Sequence, residues 1–149
     1  LVAKSGALFL DRGNRGAAVS INRVLVEKIR QEERIAVFPE GTTSDGRMLL
    51  PFYPALLQSA IETGCIVQPL ALRYVDANGE HAATFAYCGQ TSFWQSLCAI
   101  ASTQGAGARV AVLERISAAD LTRRELAERS RAAIFEALRH NRTEPSPLL

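Results

Sequence analysis

The sequence predicts an α/β fold, a layered sheet of mixed, largely parallel strands flanked by helices. Two observations carry this expectation. Short apolar runs alternate with stretches in which apolar residues recur every three or four positions, and strands joined by helices usually lie parallel. The scale agrees: 149 residues suit one domain of ~100–200 residues, here expected over 1–142 with a frayed tail at 143–149. At 48% hydrophobic and 21% charged the chain has an ordinary globular composition, which excludes disorder over most of it. A net charge of +2 is too small for a general nucleic-acid binder. No apolar run is long enough to span a bilayer.

The elements follow in chain order. Ala7 to Leu10 is a short apolar strand that stops at the turn signal Asp11-Arg12-Gly13-Asn14. Ala17, Ala18, Ile21, Val24, Leu25 and Ile29 then line one face of a helix that runs into the charged stretch Arg30 to Arg34. Ile35 to Phe38 reads as a second buried strand, cut off by Pro39 and followed by a polar loop to Gly46. After Pro54, Leu56, Leu57, Ala60 and Ile61 predict a short helix ended by Gly64.

Ile66, Val67, Leu70, Leu72 and Tyr74 form a third strand region, with Pro69 at its edge or at a bulge. Asp76-Ala77-Asn78-Gly79 is a turn, and Ala83 to Tyr87 returns as the second arm of a hairpin. Ser92 caps a helix to about Ile100, and Arg109 to Leu113 is the last strand. The longest helix, Arg123 to about His140, turns Leu126, Ser130, Ala133, Ile134, Ala137 and Leu138 toward the core. Its arginines, Arg131 among them, alternate with Glu125, Glu128 and Glu136 and read as a solvated face. Phe93 and Trp94 are expected to pack in the core, with insertion among lipid headgroups as the alternative. Cys65, Cys88 and Cys98 lack any CxxC pair and read as buried, reduced thiols, so no metal site is expected.

Two loops follow predicted strands, where ligands of α/β sheets usually collect. In Phe38-Pro39-Glu40-Gly41-Thr42 a rigid proline, an acid, a glycine and a hydroxyl stand together, suited to an anion-accepting nest of amides and an orienting carboxylate. In Asp11-Arg12 the guanidinium has the shape to hold a phosphate or carboxylate through two parallel bonds. A plain strand-to-helix turn and a surface ion pair are the structural alternatives. The turn Gly13 to Gly16 offers a weaker third reading, a nucleotide- or phosphosugar-binding domain, although it matches neither dinucleotide nor P-loop fingerprints.

Taken together, Gly6-x-x-Phe9-Leu10-Asp11-Arg12, then Phe38-Pro39-Glu40-Gly41-Thr42-x-Ser44, then Ile66-Val67-x-Pro69-Leu70-Ala71 resemble the second, third and fourth blocks of the lysophospholipid (glycerolipid) acyltransferases. The resemblance covers Gly6 to about Tyr74. It implies an enzyme that moves a fatty acyl chain from acyl-CoA or acyl carrier protein to the hydroxyl of a lysolipid. By position it makes Arg12, Phe38, Pro39, Glu40, Gly41 and Thr42 acceptor-binding, with Asp11 supporting Arg12, Ser44 at the rim and Pro69 near the acyl-donor side. It implies no metal or organic cofactor, and a membrane-associated protein on the cytoplasmic face, most simply of a bacterial inner membrane, that meets the membrane surface through the full-length protein.

Two departures stand out. The family's first block is a His, four residues and an Asp, with the His as general base. Five residues beyond His81 and His140 stand Ala86 and Pro145, so neither histidine fits, and both are expected to be structural or solvent-facing. The resemblance therefore places the catalytic His and Asp upstream of Leu1, and makes residues 1–142 the C-terminal portion of an acyltransferase domain. Second, Thr43 stands where many phosphatidic-acid-forming members carry Arg. The stretch around it, with Tyr87-Cys88-Gly89-Gln90-Thr91, looks more like the branch that acylates lyso-ornithine lipid, and Arg47 could restore charge; lysophosphatidic acid and lyso-ornithine lipid both stay open as acceptors. The competing class is a catalytically inactive anion- or lipid-binding α/β domain.

Overall fold

The computed structural model describes residues 15–82, 93–105 and 107–140. The expected strand Ala7–Leu10, the turn with Asp11 and Arg12, the return strand Ala83–Tyr87, Cys88, the Ser92 cap and the tail from residue 143 lie outside the described residues.

Helix α1 spans Arg15–Arg30, and Lys28 and Arg30 in its last turn complement the helix dipole. It stops where Glu32 takes a left-handed backbone (φ 62°). The chain folds back there, as the Glu33 amide donates to the Lys28 carbonyl and the two side chains pair at 2.7 Å. Val24, placed on the buried face by its spacing, is exposed, and Val26 is buried instead. The reason is the direction of approach of α2 (Gln58–Thr63), whose Glu62 accepts from Asn22, one turn before Val26.

The helix after Pro54 forms as expected, as one 3-10 turn (Pro54–Leu57) running into α2. Gly64 ends it in the left-handed conformation at φ 62°, which costs a glycine little. Strands β1 (Ile66–Val67) and β2 (Leu70–Val75) follow, divided by the buried Pro69, which has no amide to give a ladder. The Asp76–Gly79 turn is present, its Asp76 carboxylate accepting from the amides of Asn78 and Glu80. Helix α3 (Phe93–Ser102), β3 (Gly107–Val112), β4 (Ile116–Ser117) and α4 (Arg123–His140) complete the order. Strand β4 lies beyond Arg109–Leu113, the last strand the sequence predicts.

The expectation of a largely parallel sheet is overturned. β1 pairs with β4 and β2 with β3, both antiparallel, the second in the register Leu70↔Val112 to Val75↔Gly107. A close approach explains the direction. At Gly105 (φ 71°) an added Cβ would lie 2.7 Å from the Ala77 side chain, so the turn after α3 sits against the turn after β2. From that end β3 can only run back along β2. Ile35–Phe38, expected as a buried strand, has no ladder among the described residues, and Val37 and Phe38 are exposed. Its last carbonyl is taken by a turn, accepting from the Gly41 amide.

The core gathers Leu57, Ala60, Ala118, Leu126 and Ala127, with α4 packed on the 3-10 turn and on β2. Leu126 is 0% exposed, and full burial of such a side chain contributes roughly 1.5–3 kcal/mol. Cross-strand pairing puts Leu70, Leu72 and Tyr74 on one face with Ala108, Val110 and Val112, all exposed; Ala71 and Val75 on the other face are buried. Trp94, at 69% exposed, and the exposed Cys98 depart from their expected places in the core.

Candidate functional site

The polar segment after Phe38 is a loop built by its own side chains. The Gly41 amide donates to the Phe38 carbonyl at 3.0 Å, closing a four-residue turn over Pro39 and Glu40. Proline presets the turn and Gly41, at φ 61°, leaves it in a conformation other residues resist. The fit is tight, because an added Cβ at Gly41 would sit 3.0 Å from the Tyr53 ring. Tyr53 also donates its amide to the Pro39 carbonyl at 2.8 Å.

Beyond this turn, Ser44 Oγ accepts from the Gly46 amide at 3.2 Å, and Asp45 Oδ1 from the Arg47 amide at 3.1 Å. These short side chains bend the backbone in place of a ladder. The Arg47 guanidinium lies 3.7 Å from the Asp45 carboxylate, both well exposed. Arg47 is therefore tied locally at the loop's outer end.

Glu40 is half-buried, and its Oε2 accepts the Leu50 amide at 2.9 Å. The carboxylate thus braces the two ends of the loop. From α4, Arg131 donates through Nε to the Leu50 carbonyl at 2.9 Å and through Nη2 to the Leu49 carbonyl at 2.7 Å. Arg131, expected on a solvated face, is turned onto this segment because it flanks the stripe Ala127, Ser130 and Ile134 that α4 buries. On the other side, His81 Nε2 stands 2.8 Å from the Asp45 carbonyl. A carbonyl only accepts, so this contact fixes Nε2 as the protonated nitrogen. The ring also covers Gly46, where an added Cβ would meet it at 2.9 Å.

The structure therefore groups Pro39, Glu40, Gly41, Thr42 and Ser44 in one loop with its amides. Phe38, 77% exposed, projects beside it. Pro69 stands apart in the strand region, its carbonyl accepting the Leu113 amide, and Asp11 and Arg12 are outside the described residues. Sequence reasoning missed Arg131, Tyr53 and the loop contact of His81. The signal nearest to them was an arginine bordering the apolar stripe of a helix. An open cleft of about 430 Å³ between β4 and α4, bordered by Arg115 and Arg129, includes none of the expected site residues. Among the described residues no group of His, Cys, Asp and Glu is arranged to hold a metal ion, and no helix is long and apolar enough to cross a membrane.

Comparison with known proteins adds the following. Residues 1–73 match the Acyltransferase family. A lyso-ornithine lipid O-acyltransferase of Pseudomonas aeruginosa is 33% identical over 138 residues, 93% of this chain and 53% of that protein. A second protein of that description, from Rhodobacter capsulatus, is 26% identical over 140 residues, 90% of this chain and 50% of its own length. A 1-acyl-sn-glycerol-3-phosphate acyltransferase of Neisseria gonorrhoeae is 41% identical over 83 residues, 56% of this chain and 32% of that protein. The chain thus spans about half or less of the length of these relatives. No solved structure matches it.

Proposed function

We propose, for a chain that matches the Acyltransferase family through residues 1–73, that it forms the acceptor-binding part of an O-acyltransferase acting on a lysolipid. In this reading the acceptor's hydroxyl oxygen attacks the thioester carbon of acyl-CoA or acyl carrier protein. A C–O bond forms, the C–S bond breaks, the thiol leaves, and the hydroxyl proton passes to a base. The resemblance gives that role to the His of a His–Asp pair five residues apart, and Ala86 and Pro145 stand where His81 and His140 would need the Asp. His81 Nε2 meets the Asp45 carbonyl and His140 Nδ1 lies 2.9 Å from the Glu136 carbonyl in the last turn of α4, so each ring is tied to backbone. In this reading the His–Asp pair is supplied elsewhere in the full-length protein.

The observation that carries the reading is the loop Pro39–Ser44 in the matched region, held open by bonds from its own side chains and by Glu40. It carries the Thr42 and Ser44 hydroxyls close in sequence to the Glu40 carboxylate, polar groups of the kind that bind a headgroup. The acceptor we favour is lyso-ornithine lipid. Likeness to the Pseudomonas protein runs through 93% of the chain, whereas likeness to the Neisseria protein covers 56%, and Thr43 offers no fixed charge for a phosphate. The enzyme would work at the cytoplasmic membrane surface.

The test is kinetic, in the full-length protein. Glu40→Ala and Arg12→Ala each raise the acceptor KM about tenfold and leave the acyl-donor KM unchanged, and lyso-ornithine lipid is turned over faster than lysophosphatidic acid. Unchanged acceptor kinetics in both variants removes the site assignment. The lack of a His-x4-Asp pair within these 149 residues favours one other reading for the isolated chain, an inactive lipid-binding domain, and turnover by the 149-residue chain alone excludes it.

A further inference from the structure

The backbone of Leu50 is held from two sides. Its N–H goes to the Glu40 carboxylate at 2.9 Å and its carbonyl to the Arg131 guanidinium at 2.9 Å, while Nη2 of the same arginine takes the Leu49 carbonyl at 2.7 Å. These bonds are partly buried, and all three carry a charge on one partner, which makes them shorter and stronger than neutral ones. Arg131 lies beside Ser130 and near Ile134, both buried on α4, so its backbone is fixed by the core. The planar fork leaves little freedom in where the two carbonyls sit.

The carboxylate depends on that placement. Through Oε2 it is oriented by a single amide, that of Leu50, and among the described residues its Oε1 has no hydrogen-bond partner. The second oxygen can meet a ligand in a fixed direction only while the first is anchored. From this chain of contacts we infer that Arg131 is a positioning residue: acting through the Leu49–Leu50 peptide, it sets the orientation in which Glu40 presents its carboxylate to the acceptor. The inference rests on the reading of the loop as the acceptor site, and assigns α4 a part in it.

The experiment uses the full-length protein with Arg131→Met, Arg131→Lys, Glu40→Gln and, as a control for lost charge on the same helix, Arg124→Ala. It measures amide hydrogen exchange at Leu50 together with steady-state kinetics for lyso-ornithine lipid and acyl-CoA. Arg131→Met is expected to abolish protection of the Leu50 amide and to raise the acceptor KM about tenfold, since misplacing a binding group by about an ångström has effects of that order or larger. The acyl-CoA KM stays put. Arg131→Lys, which keeps donors without the fork, falls between, and Arg124→Ala behaves as the unaltered protein.

Leu50 protection and acceptor KM both unchanged in Arg131→Met and Arg131→Lys overturns the inference, as does an equal effect of Arg124→Ala. The two readings fail separately. If Glu40→Gln leaves the acceptor KM unaltered, the acceptor-site assignment falls, whereas loss of Leu50 protection in Arg131→Met still establishes the link from Arg131 to Glu40.

Discussion

The His81 imidazole and the Asp45 carbonyl meet at 2.8 Å across 36 residues of sequence. The bond ties the turn after β2 to the outer end of the loop that Glu40 braces from within. Replacing His81 by Ala is expected to speed amide exchange at residues 44–47 while leaving Leu50 protected, because only the outer anchor is lost. The stability cost is about 1 kcal/mol or less, that of one exposed hydrogen bond, read from urea denaturation.

Gly46 tests the same contact from the other side. At φ 73° its backbone disfavours a side chain, and an added Cβ would approach the His81 ring to 2.9 Å. Gly46→Ala should destabilise the protein by about 1–2 kcal/mol through the left-handed backbone alone, and more with the ring in place. In the double variant with His81→Ala the excess over backbone strain disappears. Equal costs in the two backgrounds would show that the ring gives way freely.

These contacts mark what could be read from the chain and what could not. Gly64 as a helix stop, the Asp76–Gly79 turn and the stripe Leu126, Ser130, Ile134 are local patterns, and each was legible. Strand direction was not, because it hangs on Gly105 coming to rest against Ala77, a meeting of two turns that no periodicity encodes. Likewise the loop sequence announced Glu40 and Gly41 but not their braces. Arg131 reaches Leu49 across 82 residues, and nothing in its helical spacing separates it from its solvated neighbours.

Ser130 offers a prediction of the opposite sign. Its hydroxyl oxygen is buried with no hydrogen-bond partner among the described residues. Leaving a buried hydroxyl unpaired costs roughly 1–3 kcal/mol, and alanine fits a helix better. Ser130→Ala should therefore raise the denaturation midpoint without changing the slope against denaturant. A loss of stability would mean that the hydroxyl is satisfied in solution.

The start of α4 is expected to respond to acid. Thr122 Oγ1 accepts from the Glu125 amide at 3.2 Å, and Glu125 Oε2 accepts from the Thr122 amide at 2.8 Å, a reciprocal cap. The Thr122 amide, then its hydroxyl, hold the Glu125 carboxyl below its usual 4.5; partial desolvation opposes them, and Arg129 adds to the lowering. A folded-state value below the unfolded one means that the unfolded chain binds more protons. The cap's contribution is thus complete above about pH 4.5 and fades as pH falls through the lowered folded value. Glu125→Gln should flatten the dependence of melting temperature on pH in that acid window and leave its form near neutrality unaltered.

The apolar ladder face of Leu70, Leu72, Tyr74, Val110 and Val112, exposed on both strands, is expected to set how readily this polypeptide self-associates. Water lies against hydrocarbon there, and ammonium sulfate, by its exclusion from protein surface, drives such faces together. Light scattering by the purified chain will rise at modest sulfate and fall again on addition of a mild nonionic detergent.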